Sequence, residues 1–168
     1  MLHESAAAPA TISGSTAVRS LVYSSDALAR FYQEDLDALL THARAKNHAA
    51  GITGILLYRN HQFIQFLEGP SSAVDAIMAE ITADPRHGRI RIAVDEFTFE
   101  RQFSDWSMGY VPLIGQSSER IPGFRDSFAD IAEAPEAIVR GRAAKELALW
   151  FNVRSAPTEV RERSAAPA

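Results

Sequence analysis

The chain has 168 residues, 46% of them apolar and 23% charged, and a net charge of −4. That size suits one domain with a real core and some terminal excess, and that balance argues against non-specific binding to nucleic acid or anionic membranes. The absence of cysteine excludes disulfides, thiolate metal sites and cysteine nucleophiles, and it fits a reducing, cytoplasmic setting.

Residues 1–17 are rich in Ala, Ser, Thr and Gly and lack a basic start followed by an apolar block. They read as a flexible N-terminal extension and not as a signal peptide. No apolar run approaches the ~20 residues of a membrane helix. Val18 to Ser24 is short and β-rich, a first strand. Glu34 to Lys46 places Leu36, Leu39, Leu40 and Ala43 on one stripe of a helix, with Glu34 and Asp35 in its first turn and Asn47 as its stop. Ile52 to Tyr58 and Gln62 to Leu67 form two strands around a hairpin at Arg59-Asn60-His61.

Ser71 or Ser72 is expected to cap a second helix with the stripe Val74, Ile77, Met78 and Ile81, ending near Asp84-Pro85. Ile90 to Phe97 alternates Ile90, Ile92 and Val94 against Arg91, Ala93 and Asp95. Phe103 to Val111 reads as a last strand with Trp106, Met108 and Tyr110 on one face. Phe124, Phe128 and Ile131 suggest a short helix. A further helix starts at Ala134-Pro135-Glu136, with Val139, Ala143, Leu147 and Trp150 as its stripe.

The order βαββαββ predicts an α+β fold, a ferredoxin-like sheet with two helices on one face, followed by C-terminal helices. The expected divisions are an extension over 1–17, a domain over 18–112, a helical extension over 113–153 and a flexible tail over 154–168. The C-terminal helices are placed either on the sheet's second face or against a second subunit.

Phe63-Ile64-Gln65-Phe66-Leu67-Glu68-Gly69-Pro70 is the most informative segment. Alternation puts Phe63, Gln65 and Leu67 on one face and Ile64 and Phe66 on the other, so Gln65 is expected to be buried. A buried amide needs partners for two donors and an acceptor, supplied by protein or by a bound polar ring. In a ferredoxin-like sheet the first and third strands are neighbours. Tyr23 and Gln65 are then side by side beneath the helices, provided Tyr23 shares a face with Leu21.

Tyr23-Ser24-Ser25, Lys46-Asn47, Gly51-Ile52-Thr53-Gly54, Phe63-x-Gln65-x-Leu67-Glu68-Gly69, Asp84-x-Arg86-His87 and Arg101-x-Phe103-x-x-Trp106-Ser107-Met108 occur in unbroken order. Together they resemble the BLUF domain, a blue-light receptor that binds flavin, usually FAD. The resemblance covers about Val18 to Val111. It implies that Tyr23 is the electron and proton donor to the excited ring, with Gln65 between that tyrosine and the flavin. It implies further that Asn47 bonds the polar edge of the ring, and that Asp84 lies near the ribityl and phosphate side. Trp106 and Met108 match the pair on the last strand that responds to the glutamine, by rotation or by tautomerisation of its amide. Taken singly, these residues have plainer roles: a core tyrosine, a helix C-cap, core packing and a helix-ending turn.

The cofactor implied is FAD, with FMN or riboflavin as alternatives. This chain has Glu80 where some relatives carry a basic residue, and it has no G-x-G-x-x-G cradle. A phosphate or adenosine group is therefore expected at the rim, near Arg30, Arg44 or Lys46. The chain is expected to be a stand-alone photoreceptor without an attached catalytic domain. Its output would pass through the last strand and the helices bearing Leu147, Trp150 and Phe151, to a protein partner or a homo-oligomer. Two other classes suit the same fold: a light-independent oligomerisation or ligand-sensing module, and a small acyl-phosphate hydrolase. Neither a Ser-His-Asp set nor metal-ligand spacing stands out around His42, His48, His61 or His87.

Overall fold

Strands that are apolar on both sides need cover on both sides, and this molecule supplies it with two pairs of helices. The computed structural model describes residues 17–105, 107–112 and 126–155. In chain order the elements are β1 (Val18–Ala27), α1 (Gln33–Ala50), β2 (Thr53–Arg59), β3 (Gln62–Gly69), α2 (Ser71–Ala83), β4 (His87–Thr98), β5 (Gly109–Pro112), α3 (Ser127–Glu133) and α4 (Ala137–Ser155). The sheet runs β4-β1-β3-β2-β5, with β1 antiparallel to both β3 and β4 and β2 antiparallel to β3. The expected ferredoxin-like arrangement is present, and β5 extends it by pairing parallel to β2.

Alternation along the central strands divides the core. Leu21, Tyr23, Leu56, Phe63 and Leu67 face Leu36 and Leu40 of α1 and Val74 and Ile77 of α2. Val22, Ile55, Leu57, Ile64 and Phe66 face Phe128 and Ile131 of α3 and Ala143, Ala144, Ala148 and Phe151 of α4. Each large apolar side chain buried this way contributes roughly 1.5–3 kcal/mol. Of the two positions open to the C-terminal helices, they take the second face of the sheet.

Several local expectations are corrected. α1 does not stop at Asn47 but runs to Ala50, because Gly51 takes the left-handed cap conformation at φ 68°. Neither Ser71 nor Ser72 caps α2; Pro70 is the N-cap, and both serines already lie within the helix. In β4, Val22 pairs with Val94 while Tyr23 pairs with Ile92, so Ala93 is an extra residue. That bulge breaks the expected common face: Ile90 packs beneath α1 and α2, while Val94 joins the opposite core and Ile92 is exposed.

The last strand is shorter than its alternation suggests. Residues 102–105 and 107–108 form bends and turns, and pairing begins at Gly109. Phe103 is buried on the α3/α4 side against Phe66, with ring centroids 5.4 Å apart, whereas Met108 is buried on the opposite side. One straight strand does not account for both placements. The α4 stripe is partly rotated from the expected one: Ala143 is buried and Leu147 packs on the core as expected, but Phe151 takes the buried place and Trp150 is partly exposed. Its small residues explain the rotation: a Cβ on Gly141 would sit 3.4 Å from the Ala93 carbonyl oxygen, so the alanine and glycine side lies closest to the sheet. Residues 1–16, Trp106, Phe124, the side chain of Tyr110 and residues 156–168, on which other expectations fall, lie outside the described residues.

The β2–β3 hairpin turns on Asn60 and His61, at φ 50° and 62°, the two-residue geometry whose twist suits flanking strands. This turn holds the register of β3. Gly54 holds it from the other end, because a Cβ there would lie 1.9 Å from the Phe66 carbonyl oxygen. Gly54→Ala is expected to cost roughly 2–3 kcal/mol through strand separation, read as a lowered urea midpoint. An unchanged midpoint would show that β2 and β3 do not need this close approach.

Candidate functional site

The β1–β3 register places Tyr23 directly opposite Gln65. Both side chains point beneath α1 and α2, and both are buried. The Tyr23 hydroxyl donates to Gln65 Oε1 at 2.5 Å, and Gln65 Nε2 donates to Met108 Sδ at 3.4 Å. One amide therefore joins a phenol on β1 to a thioether just before β5. A thioether is a weak acceptor, so the amide N–H₂ is held far less firmly than the amide oxygen. Burial pushes the Tyr23 phenol well above its ordinary value, and the nearby charge of Asp84 pushes it in the same direction.

Asn47 lies on the last part of α1 and is 3% exposed. Its side-chain Nδ2 donates to the Ser107 carbonyl at 3.3 Å, and its backbone carbonyl receives the Ile52 N–H at 2.8 Å. Arg44, one turn earlier, donates from Nε to the Met108 carbonyl at 3.0 Å. Two α1 side chains thus hold consecutive carbonyls of the segment that presents Met108 to Gln65.

The other end of that segment is fixed by a residue the sequence reading left without a role. Glu68 is 1% exposed, and its carboxylate accepts the Gln102 N–H at 2.9 Å and the Phe103 N–H at 3.0 Å. Burial raises the pKa of Glu68, while these two donors oppose the rise. Arg101 Nη1 donates to Thr53 Oγ1 at 2.9 Å and to the Glu68 carbonyl at 3.0 Å, and its Nη2 donates to the Gly51 carbonyl at 2.7 Å. The signal was available: the alternation that buries Ile64 and Phe66 also carries Glu68 onto that covered face.

Asp84 caps α2 and turns its carboxylate to Arg86, accepting from Nη2 at 2.6 Å and from Nε at 3.0 Å. Those bonds hold the Asp84 carboxyl well below the usual carboxylate range. His87 Nδ1 lies 3.0 Å from Ser25 Oγ, and its ring packs on Phe63 with centroids 5.2 Å apart. Burial lowers the His87 pKa, which favours a neutral ring. The pair does not make a hydrolytic triad, since Ser25 is 2% exposed and Asp84 is turned to Arg86. Among the described residues, no cluster of His, Asp and Glu is arranged to hold a metal ion, and no helix is long and apolar enough to cross a membrane.

Of the six residues singled out from sequence, Tyr23, Gln65 and Met108 form one contiguous relay. Asn47 holds its edge, and Asp84 lies at the far end of α2. Trp106 lies outside the described residues.

This arrangement has counterparts. The photoactivated adenylate cyclase subunit beta-like protein FB of Euglena gracilis is 28% identical over 135 residues, covering 80% of this chain and 16% of that protein. Photoactivated adenylate cyclase subunit beta of Euglena gracilis is 33% identical over 109 residues, covering 64% of this chain and 13% of its own length. The chain thus spans only a small part of these curated relatives. BlrB, described as a BLUF protein in its dark state, matches as a solved structure with a TM-score of 0.56 and 32% identity, covering 77% of this chain and 97% of BlrB. A family model described as BLUF, sensors of blue light using FAD, matches residues 18–109. With β1 through the start of β5 inside that match, the chain belongs to the BLUF family.

Proposed function

We propose that this chain is a blue-light photoreceptor whose switch is the relay Tyr23–Gln65–Met108 beside a bound oxidised flavin. The observation that carries this reading is the single amide of Gln65. It accepts from the Tyr23 hydroxyl at 2.5 Å while its Nε2 faces only a thioether, 3.4 Å away.

The residues present suit a flavin. The Asn47 and Gln65 carboxamides offer N–H donors and carbonyl acceptors, complementary to the alternating C=O and N–H edge of an isoalloxazine ring. Leu39, Ile77 and Ile81 on the helices and Phe63 on β3 offer apolar surface for the ring's faces. When bound, the flavin supplies absorption of blue light and, once excited, a strong one-electron oxidant. Everything else is work for the protein. Tyr23 stays protonated in the dark; it would give an electron to the excited ring and its phenolic proton to Gln65 Oε1 along a bond already formed, and both would return to Tyr23 once the amide has rearranged. Gln65 then offers a changed pattern of donors and acceptors to its neighbours, in a site where burial strengthens each hydrogen bond. Asn47 orients the polar edge, and Asp84 stands toward the tail side.

The Gln65–Met108 contact makes the segment before β5 the first receiver. Glu68 and Arg101 hold one end of it, while Arg44 and Asn47 hold the other. Trp106 lies on the same segment in sequence and is assigned to the response with Met108. From β5 the change passes to β2, its pairing partner. Arg59 at the end of β2 then grips Asp126, the N-cap of α3, at 2.8 Å, and stacks on Phe128 at 4.3 Å. The receiver is a protein partner or a second copy of the chain, reached through α3 and α4.

Absorption spectra of the flavin-loaded protein, before and after blue light, test this reading. Wild type is expected to show a small red shift that recovers in darkness. Tyr23→Phe is expected to keep flavin and lose the shift, because the ring remains and the transferable proton is gone; a normal shift in this variant would sink the mechanism. Gln65→Leu should behave likewise, and a full shift there would remove Gln65 from the switch. The raised Tyr23 pKa adds a pH expectation. Shift amplitude should stay level from roughly pH 6 to pH 9, since the phenol does not ionise below its ordinary value near 10. An amplitude that declines across that window would mean the phenol is not shielded.

A further inference from the structure

We infer that the phosphate of the flavin tail is held by Arg30, in the cleft between the β1–α1 loop, α1 and Arg86. The inference rests on the flavin reading above and deepens it by naming where the anionic tail is bound.

Three basic residues compete on sequence for a phosphate, and the structure separates them. Lys46 forms an ion pair with Glu80 across α1 and α2. Arg44 is turned to the Met108 carbonyl. Arg30 makes no ion pair among the described residues; its guanidinium lies 5.5 Å from the centre of the Tyr32 ring. It also lines a cleft of about 360 Å³ together with Phe31, Leu39, His42 and Arg86. Asp84 occupies Nε and Nη2 of Arg86, leaving Nη1 outside that fork. Asp35 also borders the cleft, but its carboxylate accepts the Tyr32 N–H at 2.9 Å. Both carboxylates near the cleft are therefore engaged, whereas Arg30 has no carboxylate partner among the described residues.

The position of the cleft fits a tail. Phe31 packs edge-on against Phe63 at 5.1 Å, two residues from Gln65 on the same strand and face. Leu39 joins the core that holds Tyr23 and Gln65 and also lines the cleft. A ring with its polar edge at Asn47 and Gln65 would lead its substituent past Leu39 toward Arg30 and Arg86. Guanidinium groups are suited to phosphate oxygens by their planar fork of donors.

Titration of the flavin-free protein with riboflavin and with FMN, followed by flavin fluorescence, tests this assignment. Wild type is expected to bind FMN at least about tenfold more tightly than riboflavin, an advantage that shrinks as salt is raised. Arg30→Gln is expected to bring the two affinities close together by weakening FMN alone, and Arg30→Lys should restore part of the difference. Arg30 is exposed, so neither variant disturbs the core, and unchanged riboflavin binding confirms an intact site. Equal affinities in wild type, or a preference that survives in Arg30→Gln, would overturn the assignment and leave the flavin reading standing. Failure of both flavins to bind would overturn both.

Discussion

The hydrogen bond from Tyr23 to Gln65 depends on a register, and much of the fold serves to hold that register. A slip of one residue between β1 and β3 would send one partner to the opposite face of the sheet. The Asn60–His61 turn and the Gly54 approach to Phe66 fix β3 against β2, and continuous pairing from Arg19–Gly69 to Asp26–Gln62 fixes β3 against β1. The covering helices then exclude water. In that dry setting an amide and a phenol have few other partners, so a small change in one bond is a large local event.

The central part of this design was legible in the sequence. Alternation around Gln65 identified a buried amide, and the ferredoxin-like order placed Tyr23 beside it. The family motifs named the same pair. Less legible were features in which tertiary contacts override local pattern. Ile90, Ile92 and Val94 alternate well, yet the extra residue at Ala93 returns Val94 to the α3/α4 side. Phe103 to Val111 also alternates, but Glu68 captures the backbone at Gln102 and Phe103 and replaces strand pairing with a turn. The α4 stripe departs from the expected one at its end, where Phe151 and not Trp150 is buried, and along its flank, where small residues complete the buried face. Here Ala143, Ala144 and Ala148 face the sheet because they permit a close approach.

The segment before β5 is restrained unequally. At its start, buried N–H bonds to the Glu68 carboxylate and several bonds donated by Arg101 hold it strongly. At its end, Met108 is held by a thioether contact, a 3.0 Å bond from Arg44 to its carbonyl, and the neighbouring Asn47–Ser107 bond at 3.3 Å. The weaker end faces the switch. On the proposed function, a change at Gln65 would act where resistance is least, with a fixed pivot behind it. The opposite face of the sheet is covered by α3 and α4, away from Tyr23 and Gln65.

β5 is only four residues long and lies at the edge of the sheet, paired on one side to β2. Short edge elements open at small free-energy cost compared with central strands. Sensitivity and durability thus reside in different parts of one sheet. The outermost strand can be worked repeatedly, while β1 and β3 keep their alignment from one exposure to the next. Substitutions along β5 and its approach have room to alter how long a light signal persists, with little consequence for whether the protein remains folded.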